Sequence, residues 1–400
     1  MSVTIRFAGR AAKSKQPIIR VIDFLQKEDP EFLAFGEGNP SIEACPIDTI
    51  REISERLLAE EPKYMFSYTA TLGDPQFREL IKKRMVEKKG MDPENNEILV
   101  MTGGQQGLMV VPQMFTNEGD AVITEEITYQ GMLDTIRNFG GHTVGVRQEE
   151  DGIDVKALEE AIRSTDRISF IYLIPNFSNP TGITTSLEKR KAVYELACRY
   201  DKIIVEDDPY GDLRYEGEDI PTIKSMDTEN RVVYLGTFSK TIAAGLRVGF
   251  MAARPEIIAK AANCKGLSDS NTPCFNQLIC RDFLRDHDFE GNIRNICRIS
   301  GEKWRAARKG LEEGLPEGWK IYDAKGGLFL YVVAPSYIDE EQFQQLCYKH
   351  KVGFSPSSSF AADEKPHGGF RMAFTPHTVP EIEEGCRRFC AAAREVHEKR

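Results

Sequence analysis

The sequence predicts an α/β protein: a mostly parallel, seven-stranded sheet in a large domain, joined to a smaller α+β domain. Three observations carry this. From about residue 97 the chain alternates short apolar runs with longer helical patterns. Beyond about residue 285 that alternation gives way to long charged helices and a few isolated strands. The length of 400 residues exceeds what one hydrophobic core organises and fits two domains.

The apolar runs are EILVM, DAVIT, HTVGV, RISFIYLI, KIIVED, RVVYLG and VGFMAA. They are rich in Val and Ile and lack polar alternation, as strands covered on both faces must be. Helices are predicted between them, for example from Asp154 to Arg163 and from Leu187 to Tyr200. Further on, a helix is predicted from about Asn292 to Leu311, then strands at WKIYDA and LFLYVV on either side of Gly326-Gly327. A helix after Asp339 places Phe343, Leu346 and Cys347 at helical spacing. The last helix has Pro380 in its first turn, acids early and bases late, with Ile382, Cys386, Phe389, Cys390 and Ala393 on one face. The expected division is an N-terminal arm (1–40) joining the small domain, a large domain (41–285) and a small C-terminal domain (286–400).

Composition narrows the function. With 41% hydrophobic and 28% charged residues, the chain is an ordinary folded protein. Its 52 basic and 62 acidic residues leave a net charge of -10, which argues against nucleic acid as a partner. Nine cysteines with no C-x-x-C pair fit neither a disulfide framework nor a zinc site, and predict reduced thiols in a cytoplasmic protein. No apolar stretch approaches the roughly 18 residues of a membrane span, so no membrane partner is expected. The segment with Arg6, Arg10, Lys13, Lys15 and Arg20 holds no acid. Its sparse Ser and unclear amphipathy favour a basic surface arm over a transit peptide.

In a parallel sheet, ligands bind beyond the carboxyl ends of the strands, and four polar clusters follow apolar runs. Met101 to Leu108 is a strand feeding a Gly-rich turn that opens a helix, a shape suited to a phosphate, although it matches neither G-x-G-x-x-G nor a P-loop. A tight turn alone would also use its glycines. Glu206, Asp207 and Asp208 precede Pro209-Tyr210; such acids can hold a metal, face a protonated ring nitrogen or cap a helix. Thr237-Phe238-Ser239-Lys240 with Arg247 sets an amine for a Schiff base beside an anion clamp. Pro175 to Gly182 carries Asn179 on a loop that two prolines keep out of helix.

Together, N-P-T-G at 179–182, D-D-P-Y at 207–210 and S-K-T at 239–241 followed by G-L-R at 245–247 make the chain resemble the class I/II aminotransferases, fold-type-I pyridoxal-phosphate enzymes. The resemblance runs from about residue 16 to the C-terminus. It is nearest in style to the aminoadipate and kynurenine aminotransferase branch, with its similar G-T-F-S-K-T, E-D-D-P-Y and G-G-x-F-L segments. It implies that Lys240 is the Schiff-base lysine and proton shuttle, that Asp207 keeps the pyridine nitrogen protonated, and that Tyr210 and Asn179 bond the phenolic oxygen. It assigns the phosphate to Gly104, Gln105, Thr237, Ser239 and Arg247, with Tyr68 arriving from the other subunit of a homodimer, and stacks Tyr129 on the ring. Arg371 corresponds to the α-carboxylate fork, Gly38 to a glycine against the substrate, and Arg20 to an arginine near the substrate side chain, pointing to an acidic or aromatic donor. No metal is implied.

Four departures bear on specificity: Glu37-Gly38-Asn39-Pro40 for G-G-L-P, Gly104 for the serine of G-S-Q, Ser355-Pro356-Ser357 for V-P-G, and Ala244 for proline. The implied activity is transfer from an L-amino acid to a 2-oxo acid such as 2-oxoglutarate or pyruvate, by a ping-pong cycle. The main alternative is β- or γ-elimination on the same fold. A regulator built on an aminotransferase-like domain carries a basic winged-helix domain ahead of it, and only about fifteen residues precede the resemblance here. A nucleotide-dependent oxidoreductase is disfavoured by the unmatched glycine fingerprint.

Overall fold

The computed structural model describes residues 5–9 and 18–398, without the side chains of residues 18–20. All seven apolar runs form strands: β1 (Glu97–Met101), β2 (Ala121–Glu125), β3 (His142–Val146), β4 (Ile168–Leu173), β5 (Ile204–Asp207), β6 (Val232–Thr237) and β7 (Gly249–Ala253). They make one sheet in the order β1-β7-β6-β5-β4-β2-β3. Only β7 runs antiparallel to its neighbours, β1 and β6. The link from β6 to β7 holds a short 3-10 turn and no α-helix, whereas a parallel return needs a crossover of about a dozen residues or more. The carboxyl ends of the other six strands therefore share one edge. Strands β2, β5 and β7 are buried at every position, which accounts for their unbroken apolar character.

Capping residues set the helix starts. Asp154 accepts the Lys156 and Ala157 N–H groups ahead of α1 (Val155–Ser164), and Ser186 accepts Lys189 N–H ahead of α2 (Leu187–Arg199). The long helix α3 (Phe289–Gly314) starts three residues before the expected Asn292, because Asp288 accepts Gly291 N–H at 2.7 Å. Phe289 and Ile293 pack into the core beneath the large sheet, while Trp304, Ala307 and Leu311 belong to the core of the second sheet. The second sheet contains β8 (Lys320–Ile321), β9 (Phe329–Val333), β10 (Ser355–Pro356) and β11 (Gly369–Ala373), antiparallel in the order β8-β9-β11-β10. WKIYDA contributes only two residues to it. Beyond Ile321 the chain turns, and the Ala324 carbonyl accepts the buried Trp304 indole N–H at 2.8 Å. Helices α4 (Glu340–Lys349), capped by Asp339, and α5 (Val379–Glu398) complete this half. Ile382, Cys386, Phe389, Cys390 and Ala393 of α5 are all buried, on the expected face.

Residues 35–41 form a strap that crosses from the N-terminal arm to the second sheet. Ala373 N–H bonds Phe35 O at 3.0 Å, Thr375 Oγ1 bonds Asn39 O at 2.5 Å, and the buried Lys303 ammonium of α3 bonds Ser41 Oγ and Thr375 O at 3.0 and 2.9 Å. Nine cysteines are free thiols. Among the described residues no helix is long and apolar enough to cross a membrane.

The loop after β4 is fastened from below by Arg190 of α2, which is fully buried. Its guanidinium donates to Thr185 O, Ile220 O, Pro221 O, Pro175 O and Asn176 Oδ1. Removing it leaves five acceptors without their donor, three of them in fully buried bonds that are costly to leave unmade. Arg190→Met is expected to lower unfolding free energy by about 3 kcal/mol or more, read from urea denaturation; a loss within the range of a surface substitution would refute this account of the loop.

Candidate active site

Each parallel strand hands its chain to the shared edge just where a polar cluster follows. The ends of β1, β2, β4, β5 and β6, with residues of the strap and of β9 and β11, surround one cleft of about 420 Å³. Gly38, Gly104, Gln105, Tyr129, Asn179, Asp207, Tyr210, Thr237, Ser239, Lys240, Arg247 and Arg371 all line it. Tyr68 does not; its side chain is 93% exposed elsewhere on the surface. Arg20 stands in the helix Ile18–Glu28, with its side chain outside the described residues.

Strand geometry sorts the three carboxylates that the sequence left equivalent. Successive side chains of β5 alternate between faces. Glu206 turns to the core and accepts the N–H groups of Ile223 and Lys224 at 2.9 and 2.7 Å. Asp208 is held by Asn176 Nδ2 at 2.9 Å and Tyr234 Oη at 2.7 Å. Asp207 alone of the three lines the cleft. Burial and the neighbouring Asp208 charge raise its pKa to about 7, against a hydrogen bond from Tyr172 that lowers it. No cation pairs with Asp207 among the described residues.

Lys240 follows β6 on a buried loop. Its Nζ donates to Gly38 O at 2.6 Å. Burial, then the positive charges of Arg247 and Arg371, lower its pKa to about 8, so a far larger minority of the amine is neutral near physiological pH than in an ordinary lysine. Gly38 has a steric reason to be glycine, since a Cβ there would lie 2.6 Å from the Phe329 ring.

An anion cradle forms at the other end of the cleft. Gly103, at φ 76°, makes the turn into the helix Gly104–Phe115, and a Cβ on it would sit 2.4 Å from the Arg247 guanidinium. Ser239 N–H bonds Thr237 Oγ1 at 3.1 Å, and Arg247 Nη1 reaches Ser239 Oγ at 3.4 Å. Two hydroxyls, a guanidinium and a helix N-terminus thus converge, the donor set that a phosphate requires. Tyr129 donates to Gln105 Oε1 at 3.1 Å, which fixes its ring over the cleft wall.

Arg371 sits on β11, opposite Tyr331 of β9. Its guanidinium is sandwiched between Phe329 and Phe360, 4.4 and 4.7 Å from the ring centroids. Nη1 donates to Asn179 Oδ1 at 2.8 Å and Nη2 to Gly36 O, while the buried Nε has no partner among the described residues. Asn179 Nδ2 donates onward to Tyr210 Oη at 3.4 Å. Sequence reasoning missed Phe329 and Phe360 as the walls that hold this plane. The G-G-x-F-L segment was noted, but nothing local in it says that its Phe faces an arginine forty-two residues away. It also missed Tyr172, a strand residue read simply as core.

The family model for aminotransferase class I and II matches residues 30–389. Aromatic-amino-acid aminotransferase 1 of Thermococcus litoralis is 32% identical over 376 residues, spanning 93% of this chain and 90% of that one. A multiple substrate aminotransferase of Thermococcus profundus superposes with a TM-score of 0.95 at 30% identity, covering 98% of both chains. An α-aminoadipate aminotransferase of Thermus thermophilus, solved with N-(5'-phosphopyridoxyl)-L-leucine, gives a TM-score of 0.89 at 29% identity with 98% of both chains covered. The chain belongs to the class I and II aminotransferases, a family of pyridoxal-phosphate-dependent enzymes.

Proposed function

We propose that the chain moves the amino group of an L-amino acid to a 2-oxo acid in a two-stage, ping-pong cycle, with pyridoxal phosphate in the cleft. The observation that carries this is the pairing, in one cavity, of a buried lysine amine that gives up its proton more readily than an ordinary lysine with a buried carboxylate that has no cation of its own among the described residues. The cofactor suits both: Lys240 Nζ would hold its aldehyde, Asp207 its protonated ring nitrogen, and the cradle of Gly104, Gln105, Thr237, Ser239 and Arg247 its phosphate. Bound there, pyridoxal phosphate supplies an electron sink for the charge left when the donor Cα loses its proton.

The chain's own residues do the rest. Arg371 grips the α-carboxylate with a fork already locked between two rings, which orients the Cα–H bond. Lys240 Nζ would take the proton from Cα and hold it for return to the carbon on the far side of the amino nitrogen, two bonds away. Tyr210 Oη and Asn179 Nδ2 would donate to the phenolic oxygen, and Tyr129 would cover the ring face. Gly38 and Asn39 bound the substrate side. The names of the relatives favour transfer over elimination, and they support an aromatic or acidic donor such as an aromatic amino acid or α-aminoadipate, with Arg20 on that side. 2-Oxoglutarate and pyruvate are the acceptors to try first.

The domains proposed are the arm 1–40, the large domain 41–285 and the small domain 286–400. A homodimer with shared sites is supported by the exposed apolar side chains Ile42, Ile47, Leu58, Phe66, Tyr68 and Leu267; in it, Tyr68 completes the phosphate cradle of the other subunit. The nine free thiols support a reducing, cytoplasmic location.

Lys240→Ala should abolish transamination and the visible absorbance of lysine-bound cofactor together; full activity in that variant would sink the proposal. The rate at which cofactor-free protein becomes covalently loaded should rise with pH and level off above about pH 8, since only the neutral amine attacks. A rate still climbing toward the ordinary lysine value of 10.5 would contradict the environment described for Lys240. Light scattering should give twice the chain mass, and a fully active monomer would exclude the shared site.

A further inference from the structure

Asp207 and Asp208 are adjacent, both buried, and each accepts one phenol. Tyr234 of β6 donates to Asp208 Oδ2 at 2.7 Å, and Tyr172 of β4 donates to Asp207 Oδ2 at 2.7 Å. The two strands flank β5, with Tyr172 in register with Val205 and Tyr234 with Glu206. Their surroundings differ. Asp208 also has Asn176 at 2.9 Å and the Lys89 ammonium at 3.8 Å. Asp207 has Tyr172 as its one side-chain hydrogen-bond donor among the described residues, and the other influences on it are burial and the repelling charge of Asp208.

We propose that Tyr172 is a positioning residue that keeps the shared proton on the cofactor's ring nitrogen rather than on Asp207. The inference rests on the reading of the cleft as a pyridoxal-phosphate site. One proton lies between the ring nitrogen and the carboxylate, and two arrangements compete: charged nitrogen with charged Asp207, or neutral nitrogen with neutral Asp207. Burial and the charge of Asp208 both favour the neutral carboxyl. A phenol donating to Oδ2 stabilises only the charged one, and leaves the other oxygen to meet the cleft. A hydrogen bond to a charged group shifts such a balance by about ten- to a hundredfold. Tyr172 keeps its own proton throughout, because burial and Asp207 push its phenol well above the ordinary value.

The test is nitrogen NMR of holoenzyme loaded with pyridoxal phosphate labelled with nitrogen-15 in the ring. The wild-type signal should sit at the protonated pyridine position. Tyr172→Phe, which removes one oxygen without changing the ring, should lower the protonated population about tenfold or more relative to the unprotonated one, moving the signal toward free pyridine and lowering kcat more than it raises KM. Tyr234→Phe removes an equally buried phenol from the neighbouring carboxylate and should leave the signal in place. Tyr172→3-fluorotyrosine, a stronger donor of nearly the same shape, should keep the signal at the protonated position, which keeps the idea testable should the Phe variant fail to fold. An unmoved signal in Tyr172→Phe, an equal shift in both Phe variants, or a fluorinated side chain that moves the signal toward free pyridine would overturn the assignment. Wild-type protein that takes up no labelled cofactor would instead overturn the underlying reading.

Discussion

A single side-chain amide joins the two halves of the cleft. Asn179 accepts from Arg371 on the second sheet and donates to Tyr210 at the end of β5, so the arginine proposed to grip a substrate carboxylate and the tyrosine proposed to face the cofactor oxygen share one rigid element. That amide can do this only because its loop is fixed. Arg190 ties Pro175 and Asn176 from below, and Asn176 in turn holds Asp208. A misplacement of about 1 Å at such a centre can cost two orders of magnitude in rate, and this explains why a fully buried arginine is spent on loop carbonyls.

Charge in the cleft is arranged by withholding partners as much as by providing them. Among the described residues Asp207 is left without a cation, Lys240 is placed among cations, and Arg371 is held by rings and uncharged oxygens. Each group is thereby unsatisfied in the sense that a charged ligand can correct. Glu206 and Asp208, one residue to either side of Asp207, are fully engaged and serve the framework. The same dry interior that makes an unpaired charge costly makes its eventual pairing selective.

Much of the fold was legible in the sequence, because strands covered on both faces leave no polar alternation; HTVGV, at the sheet edge, is the exception, mostly exposed or half-buried. Helix starts were legible wherever a capping side chain acts through the next few residues, as at Asp154 and Asp339. The start of α3 was missed by three residues, since its cap at Asp288 stands ahead of the periodic pattern. WKIYDA shrank to a two-residue strand because Trp304, far away in sequence, captures the Ala324 carbonyl. Residues grouped by motif converged on one cleft, whereas Phe329, Phe360 and Tyr172 carry no local signature and emerge only from long-range packing.

By itself the sequence determined the class of architecture, the family and the short-range constellations, because periodicity, capping and tight turns are properties of neighbours along the chain. Tertiary structure decided which of three consecutive carboxylates faces the cleft, what locks the arginine plane, and why position 38 tolerates no side chain. Those outcomes depend on strand pleat and on contacts between residues hundreds of positions apart, where a few tenths of an ångström separate a partner from a clash.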